Sequence, residues 1–169
     1  KLSGNDTVGT LAVAGTLAEA LKRGGYGQRA KIVRINGFDT PWGADDAKAA
    51  AAMDADAILL PKVESPAQRD ELAAITGDMA LWAMMETPRG MLNAAQIATH
   101  PKLEGMVMGT NDLAKELDTR FRADRLPMMT GLGLCLLAAR AEGLVIVDGV
   151  CNEYLAEDGR WDASVRGRD

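Results

Sequence analysis

The sequence is poor in the residues that build disulfide frameworks and zinc sites. Its 169 residues include two cysteines and one histidine. Cys135 and Cys151 lie in different segments and form no CxxC motif, which gives no support to a disulfide framework or a structural zinc and favours a reducing compartment. His100 precedes Pro101 at the end of a helical stretch, where we expect a helix cap rather than a general base.

Long apolar runs and an excess of positive charge are also missing. The longest apolar stretch, residues 131–139, falls far short of the roughly 20 residues that a membrane-spanning helix needs. The stretch 8–21 is interrupted by Glu19, so we interpret it as a helix and not as a signal peptide. Lys and Arg number 19 against 24 Asp and Glu, and they are scattered, which argues against a nucleic-acid partner. We therefore expect a cytoplasmic protein that binds a small molecule or another protein.

What is present is enough apolar sequence for one core. Hydrophobic residues make up 47% of the chain and charged residues 25%, a balance that excludes a disordered acidic tail. We expect a single domain over residues 1–169.

Five short apolar runs predict the strands of a parallel sheet. They are rich in Val, Ile, Leu and Met and do not alternate with polar residues, as in strands that helices cover. The first four begin 25, 23 and 26 residues apart, which is typical of repeated βα units. The runs are residues 31–35, 56–61, 79–85, 105–108 and 144–147.

Ala-rich helical stretches separate these runs and give an alternating α/β order. Both a barrel and an open doubly wound sheet give this order. A complete barrel has eight strands, so with five strands a (β/α)₈ TIM barrel would be a partial one that lacks N- and C-terminal strands. A doubly wound dinucleotide fold is less consistent, because no GxGxxG follows the first run. The predicted helices are residues 7–23, 44–53, 66–75, 88–99, 111–117 and 126–141.

Three strand-to-helix junctions share one pattern, a hydroxyl N-cap directly before a proline at the first helical position. At the second of them, Gln68 stands three residues after the cap and predicts a capping box. The junctions are Thr40–Pro41, Ser65–Pro66 and Thr87–Pro88.

Charged residues recur where the predicted strands end. The carboxyl ends of parallel strands form the active-site face of α/β proteins, so these residues are candidates for binding and catalysis. They are Arg34, Lys62, Glu64, Glu86, Asp112 and Asp148.

Glu86 and Asp112 are candidate ligands of a divalent cation. Each follows one of two consecutive strands, and Gly109 permits a close approach of the backbone. Mg²⁺ usually takes one or two protein carboxylates and keeps waters or substrate oxygens in its other positions. A second interpretation is equally open: Asp112 caps a helix and Glu86 pairs with Arg89.

Arg34 is a candidate for binding a substrate carboxylate, because its planar guanidinium can donate two parallel hydrogen bonds. An ion pair between Arg34 and Glu64 is the alternative. Lys62 and Glu64 are further expected to orient Arg34 and the metal ligands.

Five motifs together resemble the HpcH/HpaI aldolase and citrate lyase superfamily, and within it the citrate lyase beta subunit-like proteins. The resemblance runs from about residue 31 to 169, in the family's order. The motifs are VRING with DTPWG (33–43), LPKVES (60–65), METPRG (85–90), GTNDLA (109–114) and DGV (148–150).

The resemblance implies a (β/α)₈ barrel that assembles into homotrimers or hexamers. It implies that Glu86 and Asp112 bind Mg²⁺, that Arg34 takes part in catalysis with them, and that Arg34, Glu64, Asn111 and Asp112 bind the substrate. The activity it implies is a carbon-carbon lyase that cleaves a short β-hydroxyacyl thioester, such as malyl-CoA, citramalyl-CoA or a citryl thioester, into an acetyl thioester and an α-keto acid.

Two alternatives remain open at this point. One is a pyruvate-type class II aldolase that acts on free hydroxy keto acids without coenzyme A. The other is a non-catalytic barrel subunit that keeps the fold for assembly with partners.

Overall fold

The computed structural model describes the backbone of residues 7–150 and the side chains of residues 15–150. Cys151 and the last part of the segment that carries the resemblance, residues 151–169, lie outside the described residues.

Five strands form one parallel sheet, and each strand pairs with the next one in the sequence. This sequential order occurs in the wall of a barrel, whereas a doubly wound sheet reverses its order at a switch point. The predicted α/β fold is therefore confirmed, and the sheet is compatible with a partial barrel. The strands are β1 (Ile32–Arg34), β2 (Ala57–Leu60), β3 (Ala80–Met85), β4 (Leu103–Met108) and β5 (Val145–Val147).

Seven α-helices occur in the described residues, and all the predicted helical stretches contain one. None of them is long and apolar enough to cross a membrane. They are α1 (Thr7–Arg23), α2 (Gly43–Ala51), α3 (Pro66–Thr76), α4 (Pro88–Leu92), α5 (Ala94–Ala98), α6 (Thr110–Glu116) and α7 (Met129–Ala141), with a 3₁₀ turn at Leu126–Met128 before α7.

Two helix predictions differ from the structure. The stretch 88–99 is two helices, because Asn93 between them has φ −99° and ψ 8° and interrupts the regular turn. The Thr40–Pro41 cap is wrong: α2 begins at Gly43, and the Thr40 hydroxyl donates instead to the Gly37 carbonyl at 2.7 Å, which forms a turn ahead of the helix.

The other two predicted caps are confirmed. Thr87 Oγ1 accepts a hydrogen bond from the backbone N–H of Gly90 at 3.1 Å. Gln68 Oε1 accepts from the backbone N–H of Ser65 at 3.1 Å, the return contact of the capping box. These caps fix the first turns of α4 and α3 where the chain leaves β3 and β2.

The core lies on the face of the sheet that the helices cover. Along β3, buried residues alternate with half-buried ones, so that Met85 is inside the core and Trp82 and Met84 are on the opposite face. Strand register places Arg34 and Val145 in the same row as Trp82. The largest fully buried side chains of the core are Ile58, Leu60, Leu72, Leu81, Met85, Ile97, Met106, Leu113 and Met128.

Candidate metal-binding site

Glu86 follows β3 directly and lies on the same face as Trp82 and Met84, with 3% of its surface exposed. The register pairs Met85 with Met108, which brings Glu86 next to Gly109. A Cβ atom at position 109 would overlap Glu86 Cβ and come within 2.5 Å of Glu86 Oε2. Glycine at this position therefore lets the carboxylate approach the start of α6.

The Glu86 carboxylate contacts a backbone amide and a second carboxyl group. Its Oε1 accepts a hydrogen bond from the backbone N–H of Lys62 at 2.9 Å, and the Asp112 carboxyl is within hydrogen-bonding contact. Burial raises the pKa of Glu86 to about 7; the Lys62 amide opposes this rise, Asp112 adds to it, and the positive charge of Arg34 opposes it. Arg34, Glu86 and Asp112, three residues predicted from strand ends, thus interact in the fold.

Asp112 is the third residue of α6, and its side chain is exposed. The helix N-cap is Gly109, so the alternative that Asp112 is the cap is wrong. Asn111, at the second helical position, is exposed beside it. Both residues lie where α6 starts, at the carboxyl end of β4.

The alternative ion pairs of the sequence analysis do not form. Within residues 15–150, no ion pair joins Arg34 to Glu64 or Arg89 to Glu86. Arg34 ends β1 with its side chain exposed. Its guanidinium is therefore available to a ligand at this edge of the sheet.

Glu64 is half-buried, and its backbone is anchored on both sides. Its N–H donates to Gln68 Oε1 at 2.7 Å, and its carbonyl accepts from Asn93 Nδ2 at 2.7 Å. The loop after β2 is thus bound to both α3 and the junction of α4 with α5.

The role of the Lys62 backbone is not apparent from the sequence. Lys62 is predicted at this edge for its side chain, which is exposed, whereas the amide is the group that contacts Glu86. Lys62 has φ +50°, in the left-handed region that lysine rarely adopts. Every residue except proline has an amide, so no residue type in the sequence signals this contact.

Asp148, also predicted at this edge, is engaged by Arg125. Arg125 Nη1 lies 2.6 Å from Asp148 Oδ1 and Nη2 lies 2.8 Å from Oδ2, a two-point ion pair. A cavity of about 390 Å³ lies beside the pair, lined by both residues and by Met108, Met129, Leu132 and Ile146 among others. Sequence reasoning did not identify Arg125, because it lies far from any strand end.

Mg²⁺ fits the chemistry of the Glu86 and Asp112 pair. The described residues contain no cluster of three or more His, Cys, Asp or Glu side chains able to hold a metal, and Mg²⁺ needs only one or two protein carboxylates. Two carboxyl groups in contact repel each other when both are ionised, and this repulsion adds to the effect of burial in raising the pKa of Glu86. A divalent cation between them would remove that repulsion.

Several known proteins are similar to this chain in sequence. A model of HpcH/HpaI aldolase/citrate lyase sequences matches residues 11–165. A (3S)-malyl-CoA thioesterase of Cereibacter sphaeroides is 60% identical over 153 residues, which cover 90% of this chain and 54% of that protein. A citrate lyase subunit beta of Leuconostoc mesenteroides is 31% identical over 153 residues, which cover 83% of this chain and 51% of that protein. The chain thus spans about half the length of these curated relatives.

A solved structure is similar over nearly the whole chain. The citrate lyase beta subunit of M. tuberculosis, complexed with oxaloacetate and magnesium, superposes with a TM-score of 0.76 and 31% identity. The match covers 98% of this chain and 75% of that one.

Proposed function

Because the chain belongs to the HpcH/HpaI aldolase/citrate lyase family, we propose that it carries the metal- and acid-binding part of a Mg²⁺-dependent carbon-carbon lyase. Its substrate class is the short β-hydroxyacyl thioesters, of malyl-CoA, citramalyl-CoA or citryl type. The observation that carries the proposal is the contact between Glu86 and Asp112, with Arg34 near enough to influence the Glu86 carboxyl.

Each proposed residue has a role that follows from its position. Glu86 and Asp112 hold the cation, and Arg34 binds the substrate carboxylate with its two parallel N–H donors. Glu64 and Asn111, at the same edge, contact the rest of the acid. When bound, Mg²⁺ would polarise the hydroxyl and carboxylate oxygens of the substrate.

The geometry favours carbon-carbon cleavage because its charges suit the hydroxy acid end of the substrate. In malyl-CoA that end carries the hydroxyl and the free carboxylate, and the thioester lies at the other end. Loss of the hydroxyl proton allows the bond between the hydroxyl-bearing carbon and the neighbouring CH₂ to break. The electron pair stays on that CH₂ as a thioester enolate, which takes up a proton, so the products are glyoxylate and acetyl-CoA.

Hydrolysis of the thioester bond is a second candidate. The 60% identity to a (3S)-malyl-CoA thioesterase favours it. It uses the same substrate recognition by Arg34, Glu86 and Asp112, but water attacks the thioester carbonyl and the products are malate and free coenzyme A.

Product analysis of the full-length protein with (3S)-malyl-CoA and Mg²⁺ distinguishes the two reactions. Acetyl-CoA with glyoxylate supports the lyase, and malate with free thiol supports the thioesterase. We expect Glu86→Gln and Asp112→Asn to abolish either activity, whereas Glu71→Gln, on the exposed side of α3, leaves it unchanged.

Other outcomes would contradict the proposal. Turnover of a free hydroxy keto acid, with none of the thioester, would identify the pyruvate-type aldolase. Absence of both turnover and Mg²⁺ binding in a calorimetric titration would identify a non-catalytic barrel subunit.

We also propose a cytoplasmic homotrimer or hexamer, as the family resemblance implies. The exposed apolar residues Leu134 and Leu137 on α7 support association with another subunit. Sedimentation velocity of the full-length protein would measure the subunit number.

A further inference from the structure

Lys62 has a backbone conformation that needs an explanation. Its φ of +50° lies in the left-handed region, which is unfavourable for a residue with a Cβ atom unless the surroundings impose it. The same chain segment carries the amide that contacts Glu86.

Contacts on the C-terminal side hold Lys62 in this conformation. The Val63 N–H donates to the Met84 carbonyl at 3.3 Å, and the Glu64 N–H donates to Gln68 Oε1 at 2.7 Å. These bonds attach the loop to β3 and α3. In this arrangement the Lys62 N–H is directed at Glu86 Oε1, at 2.9 Å.

Gly109 leaves space for the other oxygen of the Glu86 carboxylate. A Cβ atom there would lie 2.5 Å from Glu86 Oε2, so the oxygen occupies the space that a side chain would fill. The Gly109 N–H donates to the Met85 carbonyl at 3.0 Å, which fixes this residue against the end of β3.

We infer that Lys62 and Gly109 are positioning residues for Glu86: the Lys62 amide holds Oε1, and the missing side chain at Gly109 leaves room for Oε2, so that the carboxylate is placed to hold the cation together with Asp112. This inference rests on the proposed function, since it assumes that Glu86 is a metal ligand. It assigns the role of Lys62 to its backbone conformation and not to its ammonium group.

Two substitutions of Lys62 separate the backbone from the side chain. Lys62→Asn and Lys62→Val both remove the ammonium, but asparagine tolerates the left-handed region and valine does not. We expect Lys62→Asn to bind Mg²⁺ like the wild type and Lys62→Val to bind it about 10- to 100-fold more weakly, the usual effect of losing a group that orients a ligand. Calorimetric titration of Mg²⁺ into the full-length protein measures both.

A substitution of Gly109 tests the same carboxylate from the opposite side. Gly109→Ala is expected to weaken Mg²⁺ binding about 10- to 100-fold. Gly133→Ala in α7 is the matched control, because no atom lies within 4 Å of the added methyl, and it should bind as the wild type does. Thermal unfolding without metal verifies that each variant is folded, and Lys62→Ala replaces the valine variant if that one is not.

Equal affinities of Lys62→Asn and Lys62→Val would overturn the inference, whether both are strong or both are weak. Wild-type affinity in Gly109→Ala would overturn the part that concerns Gly109. In either case, binding by the wild type that is lost in Glu86→Gln would leave the proposed function standing. Absence of Mg²⁺ binding in the wild type would refute the proposed function and the inference together.

Discussion

The Glu86 carboxyl is buried beside a second carboxyl, and its pKa in the fold is about 7 against an ordinary 4.5. Between pH 4.5 and 7, the metal-free folded protein therefore keeps a proton on Glu86 that the unfolded chain has released. Protonation of Glu86 thus contributes to the free energy of unfolding. This contribution is complete below about pH 4.5 and is lost as the pH rises through 7. Each unit of raised pKa corresponds to about 1.4 kcal/mol, so the total is at most about 3.5 kcal/mol.

Glu86→Gln removes this proton equilibrium. In the presence of a chelator, we expect the variant to have a higher midpoint of thermal unfolding than the wild type at pH 8 and a similar one at pH 5. Unfolding curves at pH 5 to 8 measure the difference, with Glu71→Gln as the control. A variant less stable than the wild type at pH 8 would show that the buried charge is not the destabilising factor.

Stabilisation by Mg²⁺ is expected to depend on pH in the opposite direction. Binding requires the ionised carboxylates, so the rise in unfolding midpoint caused by Mg²⁺ should be larger at pH 8 than at pH 6. An equal rise at both values would contradict the placement of the cation between Glu86 and Asp112.

At the scale of elements, the junction between β3 and α4 determines where Glu86 lies, because Glu86 is the residue between the end of β3 and the cap of α4. Thr87 is 4% exposed and caps α4 through Gly90, immediately after Glu86. Thr87→Ala is expected to lower the free energy of unfolding by about 1 kcal/mol, the usual effect of losing an N-cap, and Thr87→Ser to restore most of it. Urea unfolding of the metal-free protein measures both, and a serine variant no more stable than the alanine variant would exclude the cap as the cause.

The elements could be predicted from the sequence to the extent that local patterns determine them. Apolar runs located all five strands, and the carboxyl ends of those strands located the contact of Glu86 with Asp112. The break at Asn93 and the late start of α2 depend on turn geometry that the residue types leave open. The Lys62 amide contact depends on tertiary structure alone.

At the scale of the whole molecule, the sheet described by residues 7–150 has β1 and β5 at its edges. Val145 and Val147 of β5 are 51% and 44% exposed. An apolar edge strand readily pairs with another chain, and a charged side chain on it opposes such pairing.

Val147→Lys is therefore expected to reduce self-association of the 169-residue chain. Leu92→Lys is the control, because Leu92 is 70% exposed but belongs to α4 and not to a sheet edge. Static light scattering over a range of concentrations measures association. An equal reduction in both variants would indicate a general effect of charge and not of the strand edge.

The sequential strand order also determines which contacts close the longest segments of chain. Paired residues in the first three pairings are 22 to 25 positions apart, whereas Gly105 and its partner Val145 are 40 apart. Closing a longer loop costs more chain entropy, about 0.6 kcal/mol for each doubling of length. The segment between β4 and β5, which contains α6 and therefore Asp112, thus has the highest closure cost of the four pairings, by about 0.4 kcal/mol.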